Sequence, residues 1–286
     1  MEVLFSMKLS MYNSIHDIDD HVIKSVVSLL ENICNDLPSN KVVTKVKQNN
    51  DFVTNLDIYI DDRLKTELPI IYNAAYVSEE NNNYDTLPKT CWIVDPLDGT
   101  VNYMHGFPSY GISVALMIDG AVTYGFVLNL VSLVLYIAKL GDGAIVSSMS
   151  SKTIKSICPS STATLSDSML CIGVPYDKSK LGLLLSVMSA LLYKCQDIKR
   201  CGSAALDICR VASGIYDGYL ERDIHPWDYA AAALILTEAG GVFTDWTGDK
   251  VSYDYSGDFV ASNPNLFPSL IKEIMGACEQ FLRGFN

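Results

Sequence analysis

Two carboxylates three residues apart stand at the end of a hydrophobic stretch and are candidates for metal chemistry. The stretch ends at Asp95, Pro96 cannot continue a central β-ladder, and Asp98 follows in a turn with Gly99. Both carboxylates can converge on one point, where the Leu97 carbonyl can join them. Oxygen donors of this kind suit Mg²⁺. The alternative is a plain Asp-rich turn that caps the following helix, and the short motif taken alone favours this alternative.

Acidic residues in three further segments extend the pattern. Glu79 and Glu80 follow a predicted strand, and a cation between them would relieve their repulsion. Asp228 stands at a predicted helix start, where it also suits the helix dipole. Asp57 belongs to a capping-box sequence that begins at Thr54. Each acid has a local explanation as a loop or cap residue, but the four segments together predict a metal cluster.

The composition bounds the function class. The chain has 286 residues, 49% of them hydrophobic, which is enough for a large core and argues against disorder. Its net charge of −12 predicts that neither nucleic acid nor an anionic membrane is a partner. A phosphorylated small molecule stays possible, because acidic groups can recruit a divalent cation. The eight cysteines include no CxxC pair, and no signal peptide is recognised, so we expect reduced thiols and a cytoplasmic protein.

The hydrophobic periodicity predicts a mixture of helices and strands. Apolar spacings of three or four predict helices over residues 15–33, 54–68, 181–193, 203–214, 227–239 and 267–282. Short apolar runs predict strands near residues 76–78, 91–94, 110–138, 169–174, 216–220, 241–244 and 258–262. Ser203 is the expected N-cap of its helix, and Asp119-Gly120 predicts a hairpin turn. The Ser- and Thr-rich segment 147–168 is a candidate hinge. This order of elements predicts a layered α/β or α+β sandwich.

Four motifs in one order make the chain resemble the inositol monophosphatase family from about residue 15 to 280. The motifs are Lys47 to Asp57, Asp95-Pro96-Leu97-Asp98-Gly99-Thr100, Gly202-Ser203-Ala204-Ala205, and Trp227-Asp228 through Glu238-Ala239-Gly240-Gly241. The resemblance implies an αβαβα five-layer sandwich, of the type shared with fructose-1,6-bisphosphatase. It also implies a single phosphatase domain over residues 1–286, with an N-terminal lobe of about 15–146 and a C-terminal lobe of about 168–286.

The resemblance further implies a phosphatase that uses about two to three Mg²⁺ ions and is inhibited by Li⁺. The metal ligands carried over by motif position are Glu79, Asp95, the Leu97 carbonyl, Asp98, Thr100 and Asp228. Asp57 and Thr100 would activate the attacking water, with Glu79 as a third catalytic residue. The expected substrate contacts are Asp98, Gly99, Thr100, Gly202, Ser203, Ala204, Glu221 and Asp228.

Several functions share this motif set. Inositol 1-phosphate is the expected substrate, within a class of small phosphorylated polyols and sugars. Fructose 1,6-bisphosphate, histidinol phosphate and 3′(2′),5′-bisphosphate nucleotides are alternatives with the same metal site. A non-catalytic regulatory role of the fold is an alternative of another class, although every motif acid is present. Relatives are mostly homodimers, and the resemblance implies the same for this chain.

Overall fold

The computed structural model describes residues 9–37, 44–46, 52–81, 86–253 and 255–283. The first eight residues and residues 47–51 of the upstream motif lie outside these ranges. Seven α-helices form in the described chain. They are α1 (His21–Asn35), α2 (Asn55–Ile71), α3 (Thr100–His105), α4 (Leu181–Leu192), α5 (Ala204–Ala212), α6 (Pro226–Glu238) and α7 (Phe267–Arg283).

Two large sheets and one small ribbon complete the structure. The ribbon pairs β1 (Thr44–Val46) with β2 (Phe52–Thr54). The larger sheet runs in chain order through β3 (Ala75–Ser78), β4 (Cys91–Asp98), β5 (Gly111–Ile118), β6 (Ala121–Asn129), β7 (Val134–Lys139), β8 (Gly143–Ser148) and β9 (Ile154–Ser156). Strands β3 and β4 are parallel, and the remaining neighbours are antiparallel.

The second sheet mixes parallel and antiparallel pairs. Its strands are β10 (Met169–Ile172), β11 (Asp197–Lys199), β12 (Gly218–Ile224), β13 (Val242–Asp245) and β14 (Gly257–Ser262). They lie in the order β11-β10-β12-β14-β13. Strand β10 is parallel to both of its neighbours, whereas β14 is antiparallel to β12 and β13. The carboxyl ends of β10 and β11 therefore lie on one edge, next to the loop that leads to α5.

The core confirms the expected five layers. Alternate residues of β4 face opposite ways: Cys91 and Ile93 pack with α5 and α6, and Trp92 and Val94 pack with α1 and α2. The second sheet likewise packs α5 and α6 on one face and α4 and α7 on the other. Because β4 is covered on both faces, all eight of its residues are buried, which explains the apolar run from Cys91 to Val94 that precedes Asp95.

Helix α6 packs between the two large sheets, and its sequence suits this position. It is apolar on all sides, from Ala230 through Leu236, as a helix between two sheets must be. Gly125 of β6 faces it so closely that a Cβ there would lie 2.6 Å from the Ala231 carbonyl oxygen. Small residues on both elements therefore allow the short distance between α6 and the larger sheet. Helix α6 carries Asp228 in its first turn.

Two predicted helix boundaries differ from the observed ones. The helix expected over residues 15–33 begins only at His21, because Asp20 caps it by accepting from the Ile23 amide at 3.1 Å. Helix α2 continues past Pro69 to Ile71, although Pro69 was expected to follow its end. The hairpin at Asp119-Gly120 is confirmed, with positive φ angles of 52° and 84° that fit a type I′ turn.

The longest apolar stretch, residues 121–140, forms two strands and not a helix. It contains β6 and β7 of the larger sheet. No helix in the described chain has both the length and the apolar character needed to cross a membrane. The proposed division into two lobes stays a prediction.

Candidate active site

The end of β4 and the residue after β3 bring two acids together. The parallel pairing aligns Ser78 with Val94, and the Glu79 amide donates to the Val94 carbonyl at 3.1 Å. Glu79 therefore lies beside Asp95, close enough to raise the pKa of the Asp95 carboxyl. The Leu97 amide donates to Asp95 Oδ1 at 2.9 Å, which fixes that carboxylate at the strand end.

Asp228 reaches the same place from α6. Its Oδ2 accepts from the His225 amide at 2.7 Å, in a capping box at the helix start. The Ser113 hydroxyl of β5 donates to the Trp227 carbonyl at 3.2 Å and ties this helix start to the larger sheet. His225 stacks on Trp227 with ring centroids 4.7 Å apart. Asp228 can therefore cap its own helix and belong to the acid cluster at the same time.

One cavity of about 160 Å³ collects every predicted metal ligand. Its lining consists of Glu79, Asp95, Leu97, Asp98, Gly99, Thr100, Tyr176, His225, Trp227 and Asp228. No Lys or Arg of the described chain is among these residues. The donors are carboxylates, one backbone carbonyl and one hydroxyl, which is the oxygen-rich set that Mg²⁺ prefers. The residues present therefore fit Mg²⁺.

The carboxylates of the cavity have raised pKa values, and a bound cation would stabilise their charged forms. Burial raises the pKa of Asp95 well above its ordinary value, and the Glu79 and Asp98 carboxylates raise it further. Burial also raises the pKa of Asp228 well above its ordinary value, with Asp98 as the next cause. Burial raises the pKa of Asp98 to about 6. Four acids that oppose one another's ionisation in a buried site can all ionise once a divalent cation neutralises them.

Asp57 and Thr100 are in direct contact, as the motif predicts. Asp57 Oδ2 accepts from the Thr54 amide at 2.9 Å and from the Thr54 hydroxyl, so the predicted capping box forms. Asp57 Oδ1 lies 3.1 Å from the Thr100 hydroxyl, which also lies 3.0 Å from the Leu97 carbonyl oxygen. The single hydroxyl proton can serve only one of these acceptors at a time. Asp57 is thus held by α2 and connected through Thr100 to the cavity.

The motif of residues 202–205, called the substrate loop below, is hydrogen-bonded directly to Asp98. The Ser203 hydroxyl and the Ala205 amide donate to Asp98 Oδ2 at 2.6 and 2.8 Å, and the Ala204 amide donates to Oδ1 at 3.2 Å. Ser203 occupies the expected N-cap position, but its side chain does not cap the helix. The expectation of a Ser203 cap is therefore corrected: Asp98 supplies the capping oxygens from another segment of the chain.

Gly99 must be glycine at this turn. Its φ is +94°, and a Cβ would lie 2.8 Å from the Ser109 carbonyl oxygen. The residue lies between β4 and the short helix α3, of which it is the N-cap. Asn102 of α3 donates to the Cys201 carbonyl at 2.7 Å and to the Gly202 carbonyl at 3.2 Å, so α3 also holds the substrate loop.

A second cavity of about 290 Å³ adjoins the first and contains Glu221. The Tyr219 hydroxyl donates to the Glu221 carboxylate, and a Cβ on Gly173 would overlap that carboxylate. Burial raises the pKa of Glu221 to about 7. Arg222 does not neutralise it, because the Arg222 guanidinium pairs with Asp258 at 2.9 Å. Glu221 therefore remains available to a ligand in the cavity.

Several polar residues that line these cavities were not predicted from the sequence, among them Tyr176, Lys178 and Arg200. Tyr176 lines both cavities, and Lys178 and Arg200 line the larger one. All three lie outside the recognised motifs, two of them in the segment between β10 and α4. The parallel pairing of β10 and β12 places this segment beside Glu221, and this pairing is a tertiary feature that local patterns do not reveal. The structure brings together the other predicted substrate contacts, Gly202, Ser203 and Ala204, in the larger cavity.

Proteins of similar sequence correct one expectation. Nus factor SuhB of Vibrio cholerae is 33% identical over 261 residues, covering 89% of this chain and 90% of that protein. Nus factor SuhB of Pasteurella multocida is 32% identical over 234 residues, covering 81% of this chain and 85% of that protein. Nus factors belong to transcription, where nucleic acid is present. The exclusion of nucleic acid from the partners is therefore wrong. It rested on net charge, which does not describe contacts made through another protein.

A sequence model of the inositol monophosphatase family matches residues 14–278. Among solved structures, the inositol monophosphatase TM1415 of Thermotoga maritima superposes with a TM-score of 0.74 at 27% identity, covering 90% of this chain and 94% of that chain. Sequence and fold thus agree over nearly the whole length with the resemblance drawn from the four motifs. The chain belongs to the inositol monophosphatase family.

Proposed function

We propose that this chain hydrolyses a small phosphomonoester with Mg²⁺, and that inositol 1-phosphate is the substrate to test first. The observation that carries the proposal is the 160 Å³ cavity, which gathers six oxygen-donor residues and no described Lys or Arg. A cluster of acids of this kind has no evident structural use without a cation, because their mutual repulsion destabilises the fold.

Each acid has a distinct position in the proposed site. After burial, the Glu79 and Asp98 charges act most strongly on Asp95, so we propose that Asp95 contributes to two neighbouring cation positions. Asp228 lines the same cavity and is affected most, after burial, by Asp98, and Leu97 and Thr100 line the cavity as well. Mg²⁺ bound here would neutralise the phosphate charge and lower the pKa of a water molecule.

The Thr100–Asp57 pair is suited to moving a proton. Asp57 Oδ2 is engaged by Thr54, whereas Oδ1 faces the Thr100 hydroxyl at 3.1 Å. If Thr100 accepts a proton from water, it can pass its own proton to Oδ1. Burial raises the pKa of Asp57, which improves its ability to accept that proton.

The larger cavity fits the organic part of a small substrate. At about 290 Å³ it lies at the lower end of the range for ligand pockets. Glu221 offers an acceptor to hydroxyl groups, and we propose that the amides of Gly99 and Thr100, which line the metal cavity, hold the phosphate. A polyol or sugar phosphate satisfies these features. Fructose 1,6-bisphosphate, histidinol phosphate and bisphosphate nucleotides remain the competing substrates.

A second candidate function is regulatory, and a specific observation favours it. The matched proteins of Vibrio cholerae and Pasteurella multocida are named Nus factors and not phosphatases. We propose on this ground that the chain takes part in a transcription complex through its surface. This role does not use the acid cavity, so it can exist with or without phosphatase activity.

A substrate panel separates the two functions. Phosphate release from inositol 1-phosphate, fructose 1,6-bisphosphate, histidinol phosphate, a 3′(2′),5′-bisphosphate nucleotide and p-nitrophenyl phosphate is measured with and without Mg²⁺ and ranked by kcat/KM. We expect Mg²⁺-dependent turnover with inositol 1-phosphate ranked first. If no phosphomonoester is hydrolysed, the catalytic proposal fails and the regulatory one stands alone. If another phosphomonoester ranks first, only the choice of substrate fails.

A further inference from the structure

Two thiols and a carboxylate lie together beneath the substrate loop, outside the acid cavity. Cys171 belongs to β10, Cys201 directly precedes Gly202, and Asp207 lies in the first turn of α5. One ligand atom from each residue lies within 4.8 Å of the other two. Three separate segments therefore converge on one point, and the proposed phosphatase mechanism uses none of these side chains.

The surroundings of the cluster are polar and include the Arg210 guanidinium. The Arg210 guanidinium donates to Asp207 Oδ1 at 2.5 Å, and the Cys171 thiol hydrogen-bonds to the same carboxylate. The Tyr216 hydroxyl lies 3.1 Å from Cys201 Sγ. Cys171 and Asp207 are fully buried, with 0% and 1% of their surface exposed, whereas Cys201 is partly exposed.

We propose that Cys171, Cys201 and Asp207 form a binding site for a thiophilic divalent cation of the Zn²⁺ class. Sulfur donors select Zn²⁺ over Mg²⁺, which prefers oxygen. Tetrahedral Zn²⁺ with Zn–S bonds of about 2.3 Å holds two sulfurs about 3.8 Å apart, so the ligand atoms need to move closer by about 1 Å at most. The fourth position is left to water or a ligand.

The charges balance when the cation binds. Both thiols lose their protons to solvent, and no electron is transferred. Two thiolates and one carboxylate then face the dication and the Arg210 guanidinium, so the buried group is neutral overall. Without the cation, burial raises the pKa of the Cys171 thiol and keeps it protonated, which leaves the same group neutral in the metal-free state.

The cation can enter from the substrate side. Asp207 lines the 290 Å³ cavity, and Cys201 is partly exposed. None of the three ligands lines the 160 Å³ acid cavity, so the two sites are separate and differ in donor chemistry. Because Cys201 adjoins the loop that holds Asp98 through Ser203, an occupied site would stabilise that loop.

A cobalt titration tests the site without reference to activity. Co²⁺ is added to the reduced protein with the acid cavity saturated by Mg²⁺, and thiolate-to-cobalt charge-transfer absorption is recorded. We expect saturation at one ion per chain, displacement by Zn²⁺, and loss of the absorption in Cys171→Ser and in Cys201→Ser. Cys278→Ser is the matched control, because Cys278 is also partly buried but lies in α7, and we expect it to bind as the wild type does.

Proton release gives a measurement that needs no variant. In weakly buffered solution, Zn²⁺ binding to the wild type should release about two protons per ion, one from each thiol. An absent absorption band in the wild type overturns the proposal, and so does a band that survives in the double variant Cys171→Ser/Cys201→Ser. Release of fewer than about one proton per ion also overturns it.

Discussion

The Ser203 hydroxyl donates to Asp98 Oδ2 at 2.6 Å and joins the substrate loop to the acid cluster. The residues lie 105 positions apart in the chain. Asp98 thereby has two roles: it caps α5 with both carboxylate oxygens, and it lines the acid cavity. The position of the loop and the geometry of the cavity are therefore coupled through one carboxylate.

Removal of the Thr54 hydroxyl should weaken both the fold and the proposed proton path. We expect Thr54→Ala to lower the free energy of unfolding by about 1 kcal/mol, because it removes the N-cap of α2. Activity should fall as well, since Asp57 loses a hydrogen bond that orients it toward Thr100. Denaturant unfolding measures the first effect. The control is Thr66→Ala, at an exposed threonine within the same helix; equal losses for both variants would contradict this role of the cap.

The close approach of α6 to β6 should make Gly125 intolerant of a methyl group. We expect Gly125→Ala to destabilise the protein by about 1–3 kcal/mol, because the added Cβ overlaps the Ala231 carbonyl. Gly276→Ala is the control, because this helical glycine has no atom within 4 Å of the added Cβ. That substitution should stabilise the protein by up to about 1 kcal/mol. Thermal unfolding of both variants checks the prediction, and an unchanged midpoint for Gly125→Ala would refute it.

The metal-free protein should lose stability as the acid cluster ionises. The folded-state pKa of Asp98 is raised from 3.8 to about 6, so the folded protein binds the proton more tightly than the unfolded chain does. The resulting stabilisation is fully present below pH 3.8 and disappears as the pH rises through 6.

Unfolding experiments in a chelator between pH 4 and 7 test this behaviour. As the pH rises across this range, the wild type should lose on the order of 2–3 kcal/mol of unfolding free energy relative to Asp98→Asn. Mg²⁺ should remove most of the shift, because it stabilises the ionised carboxylates. A difference that stays constant with pH would show that Asp98 has no raised pKa.

Local patterns and motifs predicted much of the fold and the acids of the metal cavity, but not the contacts between distant segments around them. Thr54 and Asp57 are three residues apart, so their capping box is visible in the sequence. The Asp119-Gly120 turn is likewise local. Ser203 was expected to cap its own helix, but Asp98 takes that role from a distant segment, which no local pattern reveals. The placement of Arg200 in the larger cavity depends in the same way on tertiary packing.

Glu221→Gln should affect substrates with hydroxyl groups more than those without. A charged acceptor contributes about 1.5–3 kcal/mol, so kcat/KM for inositol 1-phosphate should fall roughly 10- to 150-fold, mainly through KM. The reaction with p-nitrophenyl phosphate should change much less. Because the pKa of Glu221 is about 7, the wild-type KM for inositol 1-phosphate should rise as the pH falls below 7. Equal effects on both substrates would remove Glu221 from the proposed substrate site.

The most direct test of the proposed metal-dependent activity is phosphate release by Asp95→Asn at saturating Mg²⁺. Asp95 shares its cavity with Glu79 and Asp98 and interacts with both charges, so its loss should weaken both proposed cation positions and reduce turnover by at least about 10-fold. Asp217→Asn is the matched control, because Asp217 is also buried and hydrogen-bonded but does not line the cavity. We predict that Asp217→Asn retains activity and that Asp95→Asn does not. Turnover by Asp95→Asn above about a tenth of the wild-type value would contradict the proposal.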